Sequence, residues 1–252
     1  MKEESNTKKF YDTYWPRNIP DYKRTKEHIV SLLPEGDFSL SLDAGCGTGV
    51  CSLALSSKVQ EVISCDLSFE SLTTASFLKQ RLNRNNITLI NGSLLTLPFK
   101  NSTFDLVLSW GVIHHTINPQ KAFTELIRVL KKDGCLIVAV YLKTKVTFIH
   151  EFFRKICLKI KSQIFKKVFV KSIALVVKIL ELLGKKTNVR NDNIRVESQV
   201  EDWFFVPVKH FFSTQELKDI FERNNLNFEI LCKQTGRLKS SSNIILRGIK
   251  RI

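Results

Sequence analysis

At 252 residues with 43% hydrophobic side chains, the chain is long enough to bury one good core and carry an insertion, and too apolar to be disordered. Its formal charge of +15 suggests a nucleic-acid partner only until it is located. From Lys143 to Arg190 thirteen Lys or Arg stand against two Glu, so the rest of the chain is only mildly basic. The six cysteines (Cys46, Cys51, Cys65, Cys135, Cys157, Cys232) form no C-x-x-C pair. That supports neither a zinc site nor a disulfide framework and predicts a reducing, cytoplasmic setting. The polar start Met1–Lys9 does not read as a signal peptide.

Met1 to Arg24 is polar with an aromatic knot, Phe10 to Trp15, closed by Pro16 and Pro20. Tyr11, Tyr14 and Trp15 suit a lid over a ligand, or equally a plain surface or core role. A helix is expected from Tyr22 to Leu33, stopped by Pro34 and Gly36. Strands and helices then alternate at βαβ spacing. Strands are predicted at Phe38–Ala44, Glu61–Cys65, Ile87–Asn91, Phe104–Ser109 and Cys135–Tyr141, with helices at Val50–Lys58, Ser68–Asn83 and Pro119–Lys132. The last has Asn118 as N-cap, Pro119 at its first position, Lys131 and Lys132 in its last turn and Gly134 just past it.

Val146–Leu183 breaks the alternation. Phe148, Phe152, Phe153, Ile156 and Ile160 recur at helical spacing beside Arg154, Lys155 and Lys159, and a second helix sets Lys171, Lys178 and Lys185 on a seven-residue stripe. No uncharged run reaches the roughly 20 residues of a membrane span, so this reads as an inserted basic helical subdomain. After the polar connector 187–198, Ser213-Thr-Gln-Glu216 forms a capping box with Phe212 and Leu217 as a staple. A helix Thr214–Asn224 and strands Asn227–Cys232 and Asn243–Lys250 are expected to close the chain as a hairpin.

The most informative stretch is Leu40-Ser-Leu-Asp-Ala-Gly-Cys-Gly-Thr-Gly49. A strand runs into Asp43 and Ala44 and then into Gly45, Cys46, Gly47 and Gly49 ahead of a helix, which makes a seat for a nucleotide. A plain tight turn is the bland alternative. Dinucleotide sites want G-x-G-x-x-G; here the spacing is G-x-G-x-G. This resembles the first motif of class I S-adenosylmethionine-dependent methyltransferases. Leu97-Pro-Phe99, Phe104-Asp-Leu-Val to His114-His115, and Phe123-x-x-Leu-x-Arg-Val-Leu-Lys-x-x-Gly134 resemble the corresponding passages of the ubiquinone and menaquinone biosynthesis-like members. The likeness runs from about Leu40 to Tyr141, with a weaker one at Asp202–Pro207, His210 and Ser213.

The resemblance implies an α/β, Rossmann-like, doubly wound and mainly parallel seven-stranded sheet with an antiparallel last strand, plus the helical insertion. One domain over 1–252 is expected, with 36–142 holding the cofactor, 143–190 as a basic lid and 198–252 completing the sheet. The implied cofactor is S-adenosyl-L-methionine. Its tail and ribose would face the glycine loop, with Asp66 and Leu67 at the end of the second strand; a carboxylate there accepts two ribose hydroxyls side by side. The plainer alternative is that Asp66 caps the next helix. Ser93 stands where the family often carries an Asp for the adenine amine, and Leu94 would pack on the ring or donate its amide. Ser109 and Trp110 end the fourth strand, where ligands gather. His115 or His114 could act as general base, or simply order the loop and cushion the cofactor. No metal-ligand spacing is present.

Methyl transfer to a small, lipophilic or amphipathic acceptor is the first reading, with 146–186 as a peripheral contact to anionic membrane at the inner face. An RNA or DNA methyltransferase is disfavoured, because Ser109-Trp-Gly-Val112 replaces the Asn- or Asp-Pro-Pro-aromatic motif of amino-methylating enzymes. A non-catalytic binding protein on the same fold is the third.

Overall fold

The structure, a computed structural model, describes residues 2–14, 16, 19–183, 196–233 and 242–251. Five parallel strands, β1 (Phe38–Ala44), β2 (Val59–Asp66), β3 (Ile87–Asn91), β4 (Phe104–Trp110) and β5 (Leu130–Leu142), are extended by β6 (Glu229–Lys233) and β7 (Ser242–Ile249) into one sheet of order β3-β2-β1-β4-β5-β7-β6. β7 runs antiparallel to both β5 and β6, so six strands point one way and one the other. The winding reverses between β1 and β4, and a crevice opens at their carboxyl ends.

Nine helices are present among the described residues: α1 (Lys2–Tyr14), α2 (Tyr22–Leu32), α3 (Val50–Leu55), α4 (Phe69–Arg81), α5 (Pro119–Val129), α6 (Thr147–Leu158), α7 (Gln163–Leu182), α8 (Val196–Phe204) and α9 (Thr214–Arg223). Strand periodicity sends alternate side chains to two cores. Leu42 and Ala44 of β1 meet Phe123 and Leu126 of α5 and Leu217 and Phe221 of α9. Leu106 and Leu108 of β4 face the other way, onto Ile29 and Leu32 of α2 and Leu53 of α3. Burial on both faces is why these strands read as nearly continuous apolar runs. The capping box at Ser213 and Glu216 is formed in both directions.

Several expectations are corrected by tertiary contacts. The N-terminal stretch forms α1, whose Phe10 packs with Cys157 of α6, Val170 of α7 and Val200 of α8 in a satellite core. α8 occupies part of what read as connector, while 184–195, Trp15 and Lys185 lie outside the described residues. α3 ends at Leu55, where the Ser56 and Ser57 hydroxyls donate to the Leu53 and Ala54 carbonyls. α5 stops at Val129 rather than Lys132, because Leu130 turns extended and pairs with Phe104. Lys131 therefore belongs to β5, bound to Asp105 at 2.7 Å. Gly134 is no helix cap; a Cβ there would meet Leu130 Cδ1 and the Lys131 carbonyl at 2.9 Å.

The Leu97-Pro-Phe99 passage and Arg128 turn out to be one structural device. The Arg128 guanidinium donates to the Leu97 and Phe99 carbonyls at 3.0 and 2.7 Å and to Glu125, while Glu125 accepts the Leu97 amide at 2.8 Å. The fork thus ties the segment after β3 to α5. Arg128→Ala is expected to lower unfolding free energy by about 1–3 kcal/mol, by stranding carbonyls that a charged donor satisfied. Lys at 128 should restore little, since an ammonium has no fork. Urea unfolding of both variants checks this.

Candidate functional site

The turn after β1 is built from backbone amides held in place by β2. The Cys65 carbonyl accepts both the Gly45 and Cys46 amides, at 2.7 and 3.1 Å. Gly45, Gly47 and Gly49 all take positive φ, +81°, +53° and +79°. At Gly45 a Cβ would also lie 2.5 Å from the Val112 methyl groups, so only glycine fits against that loop. The Asp66 carboxylate completes the clamp, accepting the Gly47 amide on one oxygen and the Ser68 amide on the other, each at 2.8 Å. Ser68, not Asp66, caps α4, its hydroxyl accepting the Ser71 amide at 3.1 Å. Burial pushes the Asp66 carboxyl up, offset in part by those two amides.

Asp43 sits beneath the turn, wholly buried. Ser52 of α3 donates to its Oδ2 at 2.6 Å, and its Oδ1 has no hydrogen-bond partner. Burial pushes the Asp43 carboxyl up to about 7 despite the Ser52 hydrogen bond, and the Asp66 charge adds to the rise. A buried carboxylate oxygen without a hydrogen-bond partner is costly, so Asp43 is a strained point beneath the turn.

One cavity of about 1000 Å³ runs along the carboxyl edge of the sheet. Asp43, Gly45, Cys46, Gly47, Asp66, Leu67, Ser93, Leu94, Trp110, His114 and His115 all line it. Ala44, Gly49 and Ser109 stand behind its wall; the Ser109 hydroxyl donates to the Ala44 carbonyl at 3.0 Å, and Gly49 backs onto Ala75 of α4. α1 forms part of the opposite wall through Glu4, Thr7, Lys8 and Tyr11. Tyr11 therefore takes the lid position, and Tyr14 closes the same helix.

Beyond β4 the cavity ends in a polar cluster that sequence reasoning did not assemble. Asp202 of α8 accepts the Tyr141 hydroxyl at 2.9 Å and the buried Lys209 ammonium at 3.2 Å, and lies 3.4 Å from His115 Nε2. His115 Nδ1 faces the Val208 carbonyl at 3.0 Å. The His114 ring lies over Tyr141 with 3.9 Å between centroids. Burial alone would raise the Asp202 carboxyl, but Lys209, His115 and the Tyr141 hydroxyl take it down to about 2. Burial lowers His115 to about 4, against the pull of Asp202, because that carboxylate is already compensated by Lys209. The ring is thus neutral near pH 7, with both nitrogens turned toward protein groups. Asp202 stood in a noticed stretch, Asp202–Pro207, but nothing local marked it as the partner of His115.

Residues 42–138 match the methyltransferase domain family. An uncharacterized methyltransferase of Bacillus subtilis, YcgJ, is 38% identical over 93 residues, covering 37% of each chain. A demethylmenaquinone methyltransferase of Thermobifida fusca is 34% identical over 114 residues, covering 45% of this chain and 48% of that one. These matches therefore span about half or less of the relatives' own lengths. The crystal structure of YcgJ superposes with a TM-score of 0.62 at 18% identity, covering 91% of this chain and 99% of that one. Magnesium protoporphyrin IX methyltransferase of Synechocystis PCC 6803, solved with bound SAH, gives 0.56 at 15% identity, covering 91% and 83%. At such identities the structural likeness establishes the fold.

The depressed His115 makes a pH prediction. Between 6.5 and 4 the unfolded chain takes up a proton that the native ring refuses, so His115 costs stability as pH falls through that window. Relative to His115→Asn, the parent protein should lose about 3 kcal/mol at most across it, read as the difference between two urea-unfolding series. The rise of Asp43, which acts in the opposite sense, is common to both and cancels. Parallel curves would refute a buried neutral imidazole.

Proposed function

We propose that this chain, whose residues 42–138 match a methyltransferase domain family, is a class I S-adenosylmethionine-dependent methyltransferase that transfers a methyl group to a small, lipophilic or amphipathic acceptor held between β4, β5 and α8. The observation that carries this reading is the continuity of the cavity, from the glycine turn and Asp66 to the Tyr141–Asp202 cluster. The residues present suit the cofactor: Asp66 offers carboxylate oxygens to a ribose diol, and the buried Oδ1 of Asp43, which has no protein partner, suits an ammonium.

When bound, the cofactor supplies an already activated methyl group on a sulfonium. The protein's own work is then alignment and exclusion of water. Tyr141, His114 and Asp202 line the acceptor end; together they suit a molecule with a hydroxyl or amine beside an apolar ring system. The relatives named for demethylmenaquinone and for magnesium protoporphyrin IX point the same way. His115, with both nitrogens facing protein groups, orders this wall rather than taking a proton from the acceptor. Among the described residues the turn after β4 reads Ser109-Trp-Gly-Val112, which favours a small acceptor over a nucleic-acid base.

Titration calorimetry with S-adenosylmethionine and its demethylated product tests the cofactor assignment. Both should bind and NAD should not. Asp66→Ala should weaken binding ten- to a hundredfold, as loss of hydrogen bonds to a charged group implies. Methyl-labelled cofactor incubated with a cell extract should then label solvent-extractable small molecules. Label in RNA would favour the nucleic-acid reading, and binding without transfer the non-catalytic one.

The helices α6 and α7 extend the proposal to a surface. Phe148, Phe152 and Phe153 of α6 and Ile164, Phe165 and Val168 of α7 are each more than half exposed, amid exposed Lys155, Lys159, Lys161 and Lys167. No described helix is long and apolar enough to cross a membrane. Apolar rings framed by lysines match the interface of an anionic bilayer, where a lipophilic acceptor would be met. Lys171 and Lys178 are exposed on α7, Lys178 paired with Glu197 of α8 at 3.2 Å. The protein should sediment with vesicles containing phosphatidylglycerol and not with phosphatidylcholine alone, and salt should release it. Glu at 155, 159, 161 and 167 should abolish sedimentation while leaving cofactor binding intact. Equal sedimentation with both vesicles, or none, would leave α6 and α7 as a cover only.

A further inference from the structure

The wall of the cavity at the end of β3 lacks an acidic residue of its own, yet a carboxylate stands there. Ser93 follows β3, and its hydroxyl donates to Glu4 Oε1 of α1 at 2.6 Å while its oxygen accepts the Leu95 amide at 3.2 Å. The Ser93 hydroxyl is therefore engaged in both senses by the protein. What faces the cavity beside Leu94 and Leu95 is the Glu4 carboxylate, delivered by the lid.

The order of the strands places the parts of a nucleoside sulfonium along this edge. Asp66 at the end of β2 is the diol acceptor in the reading above, Asp43 and the glycine turn of β1 take the amino-acid tail, and the acceptor end lies beyond β4 and β5. The base and the tail leave the ribose from opposite sides. Beside Asp66 and away from the tail, the end of β3 offers the base two leucines for its flat faces and an acid at its rim. An exocyclic amine donates and cannot accept, so a carboxylate is its natural partner.

We infer that Glu4, held by Ser93, reads the six-amino group of the cofactor's purine, so that α1 is a specificity element as well as a cover. This rests on the cofactor assignment proposed above. The inference predicts a discrimination that no residue of the sheet provides. S-Adenosylhomocysteine should bind at least tenfold more tightly than its analogue with hydrogen in place of the six-amino group, because that analogue cannot donate to the carboxylate.

The test is calorimetry with these two ligands on the full chain. In Glu4→Ala the preference should collapse to near unity, and in Glu4→Lys it should vanish or invert, with the melting temperature of the ligand-free protein unchanged in at least one of them. Lys9→Ala, on the exposed side of the same helix, should keep the parental ratio. A ratio that survives in a folded Glu4→Ala or Glu4→Lys protein overturns the role of Glu4 alone. Failure of the parent protein to bind S-adenosylhomocysteine at all overturns the cofactor reading itself, and this inference with it.

Discussion

Everything at the site depends on how β2 holds the turn that leaves β1. Two consecutive amides of that turn share the Cys65 carbonyl, and a third is taken by the Asp66 carboxylate. A turn of free amides would collapse onto water or onto itself; this one is fixed at three points on a neighbouring strand. The fixation requires backbone angles that L side chains rarely adopt, and the space at Gly45 is closed by Val112. One constraint therefore links the glycine spacing, the acid at the end of β2 and the loop after β4. It also leaves Asp43 buried behind the turn with an oxygen that no protein group satisfies.

The same sheet edge explains how one cavity comes to be lined by such different groups. Parallel strands bring five carboxyl ends side by side, and together they offer a varied set of groups: Ser93 after β3, Asp66 on β2, Asp43 and glycines on and after β1, Trp110 on β4, Tyr141 on β5. The helices that complete the cavity come from outside this alternation. α1 supplies Glu4 beside Ser93 and, further along the helix, Tyr11 against His115, where α8 supplies Asp202. Both pack through the satellite core around Phe10, Cys157, Val170 and Val200. Cover and insertion thus share packing, so a shift of α6 or α7 on a surface would reach both walls of the site.

The electrostatics of the Tyr141–Asp202 cluster follow from burial more than from net charge. Asp202 remains ionised because Lys209 lies beside it with its side chain wholly enclosed, and Tyr141 completes the shell. His115 is then left neutral, since its neighbouring carboxylate is already balanced and burial disfavours a second cation. The exposed lysines of the insertion, Lys155 of α6 and Lys167, Lys171 and Lys178 of α7, stand apart from this cluster on the outer surface.

Local signals in the chain determined the framework. The alternation in β1 and β4, the G-x-G-x-G turn, Asp66 at the end of β2, the Asn118 cap and the Ser213 capping box all depend on neighbours a few residues apart, where side-chain period and backbone preference act directly. Boundaries failed where a distant strand intervened, as when pairing with Phe104 drew Leu130 out of helix α5. Only tertiary structure decided the rest. Glu4 meets Ser93 across 89 positions, Asp202 meets Tyr141 across 61, and Arg128 reaches back 31 to Leu97. Nothing in the flanking residues encodes such meetings. They arise because a parallel sheet gathers strand ends from across the chain at one edge, and because helices outside the alternation must bury their apolar faces there.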